Sequence, residues 1–135
     1  MLNTANYGKD YKHYWTVGFG ELLADRIYYV NMETGTRTIY RVPNYHFSEP
    51  VFLSPKIELE DENRGVIAST ASPLNPSDRA FIVFLAASCK SCFYLFSKLT
   101  NFFPALKEIA RFYFPKDFIV PISFHGIFYK TEELN

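Results

Sequence analysis

What most limits the folds open to this chain is a rhythm of short β-type runs cut off by turn residues. YKHYWTVG (residues 11–18), RIYYVN (26–31), RTIYRV (37–42), EPVFLS (49–54), GVIAST (65–70) and AFIVFLA (80–86) each set β-branched and aromatic residues between Gly, Pro, Asn, Asp or Ser. EIARFYF (108–114) and SFHGIFY (123–129) add two more. Strands at this spacing predict an all-β fold: a sandwich, a barrel or the blades of a propeller. METG (32–35) joins two alternating runs, and Gly35 is free to take a positive φ, so residues 28–38 are predicted to form a hairpin.

Composition agrees with a packed domain. The chain has 135 residues, 48% of them hydrophobic and 19% aromatic, which excludes disorder and is enough for one core. Lys and Arg number 14 against 14 for Asp and Glu, so the electrostatic footprint of a nucleic-acid binder is absent. The start, MLNTANYGKD, lacks the basic and apolar regions of a secretory signal. Lys90 and Lys98 break the apolar stretch 80–103, whose longest uncharged run falls short of the ~18 residues of a membrane span; no transmembrane helix is expected. Cys89 and Cys92 form a lone CxxC without a second pair or an HxxxH, so incidental thiols are the better reading than zinc or redox chemistry.

Between the runs, ELEDENRG (58–65) is predicted to be a solvated loop and SPLNPSD (72–78) a turn-rich connection. Residues 88–103 fit neither period. Phe93, Phe96 and Leu99 fall near one helical face, but Tyr94, Leu95 and Phe102 leave no polar side. Near the carboxyl end, PISFHGIFYK (121–130) carries a lone histidine, His125, in an apolar run, where an ordinary core role is the usual expectation.

Four blocks change that expectation. HFSEPVFLSP (46–55), EDENRGVIASTASP (60–73), LKEIARFYFP (106–115) and VPISFHGIFY (120–129) resemble, in wording and order, the C-terminal region of the carotenoid cleavage oxygenases. NYGKDYKHYWTVGFG (6–20) and DRIYYVNMETGT (25–36) resemble the stretch that precedes the SEPVF block in animal members, so the similarity leaves out little beyond residues 88–104.

The resemblance implies a partial β-propeller: the last blades of a seven-bladed propeller whose axis holds a non-haem iron(II) on four histidines, with glutamates orienting their rings. His125 in FHGIF takes the place of the last iron ligand, and Glu49 in SEPVF that of an orienting glutamate. The residue types suit the task. Neutral imidazole binds Fe(II), and a ligating ring usually gives its other N–H to a carboxylate that fixes tautomer and orientation. His13 and His46 match no ligand motif of the family and are expected to be structural or surface residues.

The three other iron histidines have no counterpart here, so residues 1–135 are read as the C-terminal part of a longer oxygenase, inactive alone and poorly folded as an orphaned piece of a repeat array. Relatives run from the strand like AFIVFLA through a short turn into the strand like LKEIARFYF; residues 88–104 therefore stand as an atypical insertion, either translated intron or a real addition to a propeller face, with a short helix as one reading of it. The function implied is a dioxygenase using Fe(2+) to cleave conjugated double bonds of a carotenoid or apocarotenoid. Its implied partners are a carotenoid or retinoid substrate and a membrane surface touched peripherally, in a cytoplasmic protein. Two alternatives stand beside it: a relative of the retinyl-ester isomerohydrolase, and a non-catalytic fragment or module binding lipid or a partner through its Phe- and Tyr-rich segment.

Overall fold

The computed structural model describes residues 8–20, 22–53, 65–87 and 105–121. Every regular element among them is a strand: β1 (His13–Phe19), β2 (Ala24–Asn31), β3 (Arg37–Arg41), β4 (Tyr45–Phe47), β5 (Val51–Leu53), β6 (Val66–Pro73), β7 (Phe81–Ala86) and β8 (Glu108–Tyr113). All pairings are antiparallel, in two sheets. Sheet A is the meander β1-β2-β3, and sheet B runs β4-β6-β7-β8 with β5 also on β6.

Local chemistry makes the meanders. The β2–β3 turn falls where METG predicts it: Gly35 has φ 67°, Asn31 N–H donates to Thr36 O at 2.9 Å, and Asn31 Oδ1 accepts the amides of Glu33 and Thr34. Asn44 takes the left-handed conformation (φ 62°) that Asn tolerates, in the turn leading into β4. In the β6–β7 connection Asn75 Oδ1 accepts from the Ser77 amide at 3.0 Å and Asn75 O from the Asp78 amide, the local turn that SPLNPSD announces.

The two sheets bury one core between them. Trp15, Ile27 and Tyr29 of sheet A meet Phe47, Ile67, Ala71, Phe81, Val83 and Leu85 of sheet B, with Ala87, Ala105 and Leu106 closing one end. Trp15 lies at the seam, fully buried: its ring stacks on Phe52 with centroids 5.1 Å apart, and its Nε1–H donates to Ala87 O at 3.0 Å. The apolar body thus gains burial and the indole N–H is not left without an acceptor.

A polar lock sits on the same seam. Tyr40 of β3 donates its hydroxyl to Glu108 of β8 at 2.6 Å, and Arg111 Nη2 donates to both Tyr40 (3.1 Å) and Glu108 (2.8 Å). The Arg111 guanidinium lies over the Phe81 ring, 4.1 Å from its centroid. Hydrogen bonding from Arg111 holds the Glu108 carboxyl below its ordinary range, while burial, and then the bond to Glu108, pushes the Tyr40 hydroxyl up.

Sheet B differs from the sequence reading in its edge strand. Residues 49–54 read as one strand, yet among the described residues of that run the ladder holds only β5, and β4, too short to stand out in sequence, precedes it. Phe47 pairs with Ala71 and Val51 with Ala68, so three residues, Ser48, Glu49 and Pro50, stand opposite two, Ser69 and Thr70. This is a β-bulge: β4 and β5 are one edge strand with an extra residue, and sheet B is in effect a four-stranded meander. Pro50 has no N–H to give a ladder, and an edge strand is where a sheet accommodates it.

β7 and β8 are pinched together where residues 88–104 leave and return. Leu106 N–H donates to Ala86 O at 2.8 Å and Ala86 N–H to Lys107 O at 2.9 Å. Leu106 holds an unfavourable φ of 62° there, with its side chain 4% exposed in the core. Residues 88–104, with the helix expected for them and with Cys89 and Cys92, lie outside the described residues, as do residues 58–64 of the acidic loop and the run 123–129.

Two outcomes are expected. Since the pinch closes the hairpin without them, replacing residues 88–104 by a four-residue link should keep the Phe84–Ala110 pairing. It should raise stability by about 1 kcal/mol from the shorter closure; loss of that pairing in NMR contacts would show that the segment builds the hairpin. The lock sets a pH dependence. Glu108, lowered on folding, stabilises the fold above the ordinary carboxylate range, and that stability is lost as pH falls through its depressed value. Tyr40, raised, adds stability below about pH 10 that is lost on going higher. Glu108→Gln should flatten the acid limb of a melting-temperature profile; an unchanged acid limb would mean that the pair adds nothing to stability.

Candidate functional site

The bulge decides where Glu49 sits. Before it, odd-numbered Tyr45 and Phe47 pack toward the core; after it, Phe52 pairs with Ile67 and stacks on Trp15, so the inward parity has changed from odd to even within one edge strand. Glu49 falls at that change, half-buried, between Ser48 and a fully buried Pro50. A residue preceding proline is confined to extended backbone, which narrows the directions open to the Glu49 side chain.

Ser48 fastens the bulge to β6. Its amide donates to Thr70 O at 2.9 Å, and its hydroxyl accepts from Thr70 N–H at 3.0 Å and from Thr70 Oγ1 at 2.9 Å. Ser69 Oγ, almost wholly buried, donates to Ser48 O at 2.9 Å and lies 3.3 Å from Ser48 Oγ. The sequence shows the SEP triplet but not this hydroxyl cluster. The signal that was there is the run of small polar residues in IASTAS, residues 67–72, opposite the triplet.

Of the two site residues expected from sequence, Glu49 is described and His125 lies outside the described residues. His13 is structural: its ring stacks on Tyr29 at 5.7 Å and its Nδ1 lies 2.8 Å from the Tyr29 hydroxyl. His46, paired with Ser72 across β4 and β6, has both ring nitrogens buried without a hydrogen-bond partner among the described residues. Those residues contain no group of three His, Cys, Asp or Glu side chains able to hold a metal. What they offer an iron centre is one half-buried carboxylate on a doubly constrained backbone. That fits the acceptor an iron-bound imidazole needs for its second N–H, not the metal-binding set itself.

Residues 1–130 match the protein family described as retinal pigment epithelial membrane protein. A carotenoid-cleaving dioxygenase, mitochondrial, from Homo sapiens is 30% identical over 121 residues, covering 90% of this chain and 18% of that protein. The protein of the same name from Macaca fascicularis is 29% identical over the same span and coverage. The chain therefore spans about a fifth of the length of the curated relatives it matches. Among solved structures, the crystal structure of an ACO/RPE65 chimera superposes with a TM-score of 0.53 at 25% identity, over 59% of this chain and 17% of that one. The two meanders packed face to face are accordingly part of a β-propeller, as the sequence implies. No helix among the described residues is long and apolar enough to cross a membrane.

Proposed function

The chain belongs to the carotenoid oxygenase family, that of the retinal pigment epithelial membrane protein, and from this premise we propose that it is the C-terminal portion of an iron(II) dioxygenase that cleaves conjugated double bonds of carotenoids or apocarotenoids. The observation that carries the proposal is Glu49 of the SEP triplet, set on a bulge that sequence alternation alone would not produce. When bound, iron(II) supplies the redox chemistry that activates dioxygen. In this proposal His125 gives that metal one imidazole, and Glu49 accepts the ring's other N–H. The carboxylate thereby fixes the tautomer and raises the basicity of the ligand. The remaining ligands come from parts of the protein that this chain does not contain.

The exposed apolar surface supports a piece of a larger array. Ile109, Phe112 and Tyr113 on β8 and Phe118 and Ile119 after it are more than half exposed, and those on β8 fall on both faces of the strand, more large apolar surface than a self-sufficient domain usually leaves open. Inactivity of the piece alone belongs to the same proposal. So do the domain assignment, residues 1–135 as the C-terminal part with 88–104 inserted, the carotenoid or retinoid substrate, and peripheral contact with membranes. For location the cytoplasm remains our proposal; the curated relatives are named mitochondrial, and fractionating cells that express the complete protein separates the two.

The complete protein, supplied with ferrous iron and a carotenoid, is expected to release aldehyde products resolved by chromatography. His125→Ala should abolish turnover, and Glu49→Gln should lower iron affinity or activity by about 10–100-fold. Isomerisation of a retinyl ester with no polyene consumed would overturn the cleavage reading in favour of the isomerohydrolase type.

A further inference from the structure

We propose that Ser48 is a positioning residue for the Glu49 carboxylate, its hydroxyl cluster with Ser69 and Thr70 holding the bulge from which that acid braces the iron ligand. The proposal rests on the role given to Glu49 above. In a regular antiparallel pair the Thr70 N–H would find a backbone carbonyl on the edge strand; at the bulge it is the Ser48 hydroxyl that takes it, at 3.0 Å. The extra residue therefore leaves no orphaned donor on β6.

Ser48 Oγ accepts two bonds, from Thr70 N–H and Thr70 Oγ1–H. Ser69 Oγ spends its proton on Ser48 O at 2.9 Å, which leaves the Ser48 hydroxyl proton for Ser69 Oγ at 3.3 Å. With the Ser48 amide on Thr70 O, the backbone N–H, the backbone C=O and the side chain of Ser48 are all tied to two consecutive residues of one strand. Ser48→Ala would strip the acceptor from both Thr70 donors and leave the joint to two bonds of the residue 48 backbone, N–H to Thr70 O and C=O from Ser69 Oγ–H. Pro50, fully buried, holds the other flank. Glu49 thus projects from a backbone clamped before it by Ser48 and after it by Pro50. A carboxylate bracing an imidazole needs such a base, because charge-assisted bonds are short and their supporting shell sets the geometry.

Serine here acts through another residue, so the test must separate positioning from stability. In the complete protein, iron(II) affinity is measured by competition with a chromogenic chelator for Ser48→Ala, Glu49→Gln, the double variant and Ser72→Ala. Ser72 of β6 is the control: its hydroxyl donates to a backbone carbonyl, that of Val120, and takes no part in the bulge. Ser48→Ala should weaken iron binding about tenfold, and Ser72→Ala should not. Adding Ser48→Ala to Glu49→Gln should weaken it no further. Hydrogen exchange at the Thr70 amide should accelerate in Ser48→Ala and stay slow in Glu49→Gln. Wild-type affinity in Ser48→Ala, or a loss that adds in full to that of Glu49→Gln, would overturn the positioning role while leaving Glu49 in place. An unchanged affinity in Glu49→Gln would overturn the bracing role, and the positioning role with it. Should Ser48→Ala fail to fold, Thr70→Val, which removes one of the two donors to Ser48 Oγ, decides the matter by the same comparison.

Discussion

One surplus residue in an edge strand governs how this chain packs. Had residues 45–53 paired with β6 without a bulge, the odd-in parity of Tyr45 and Phe47 would have carried Val51 and Leu53 inward and turned Phe52 away. With the bulge, Phe52 faces Trp15 and the two sheets close on a shared aromatic contact. Phe52 is partly buried, so the contact is worth less than the roughly 1.5–3 kcal/mol of a fully buried side chain of that size, against about 0.2–1 kcal/mol for a cross-strand pair. The same surplus residue lifts Glu49 out of the regular ladder. Core packing and the placement of the acid are therefore two results of one irregularity.

The seam between the sheets combines two kinds of contact. At its centre Trp15 is apolar and sealed, its one polar atom given to Ala87 O. At its rim Tyr40, Glu108 and Arg111 share donors and acceptors under partial exposure, where ion pairs add little energy but fix which strand lies opposite which. Burial supplies the cohesion, and the rim supplies register. A blade with this construction can be held to its neighbour while β8, the last strand of sheet B among the described residues, keeps large apolar side chains exposed.

What was legible in the sequence was local. Gly35 and Asn31 announce their hairpin because the turn is decided within a few residues, and the alternation in 26–31, 37–42 and 80–86 gives three strands nearly to their ends, whereas the strand read at 65–70 runs on to Pro73, into the stretch read as a turn-rich connection. The edge strand was misread for a physical reason: alternation assumes an unbroken period of two, and nothing within EPVFLS signals that the period is reset at Ser48–Pro50. β4 escaped because three residues carry too little pattern. The contact between Trp15 and Ala87 joins residues 72 apart, beyond any local rule. Of the site, Glu49 and His125 were picked out by the wording of SEPVF and FHGIF. The hydroxyls that anchor the triplet became visible only once β6 was laid beside it.

The position of Trp15 has a further use. It is the only tryptophan in the chain, and it sits where the sheets meet. Its fluorescence therefore carries no background from elsewhere in these residues: an emission maximum at short wavelength reports a closed, dry interface, and a red shift reports water entering it. The molecule holds its own optical gauge of whether one blade is still seated on the next.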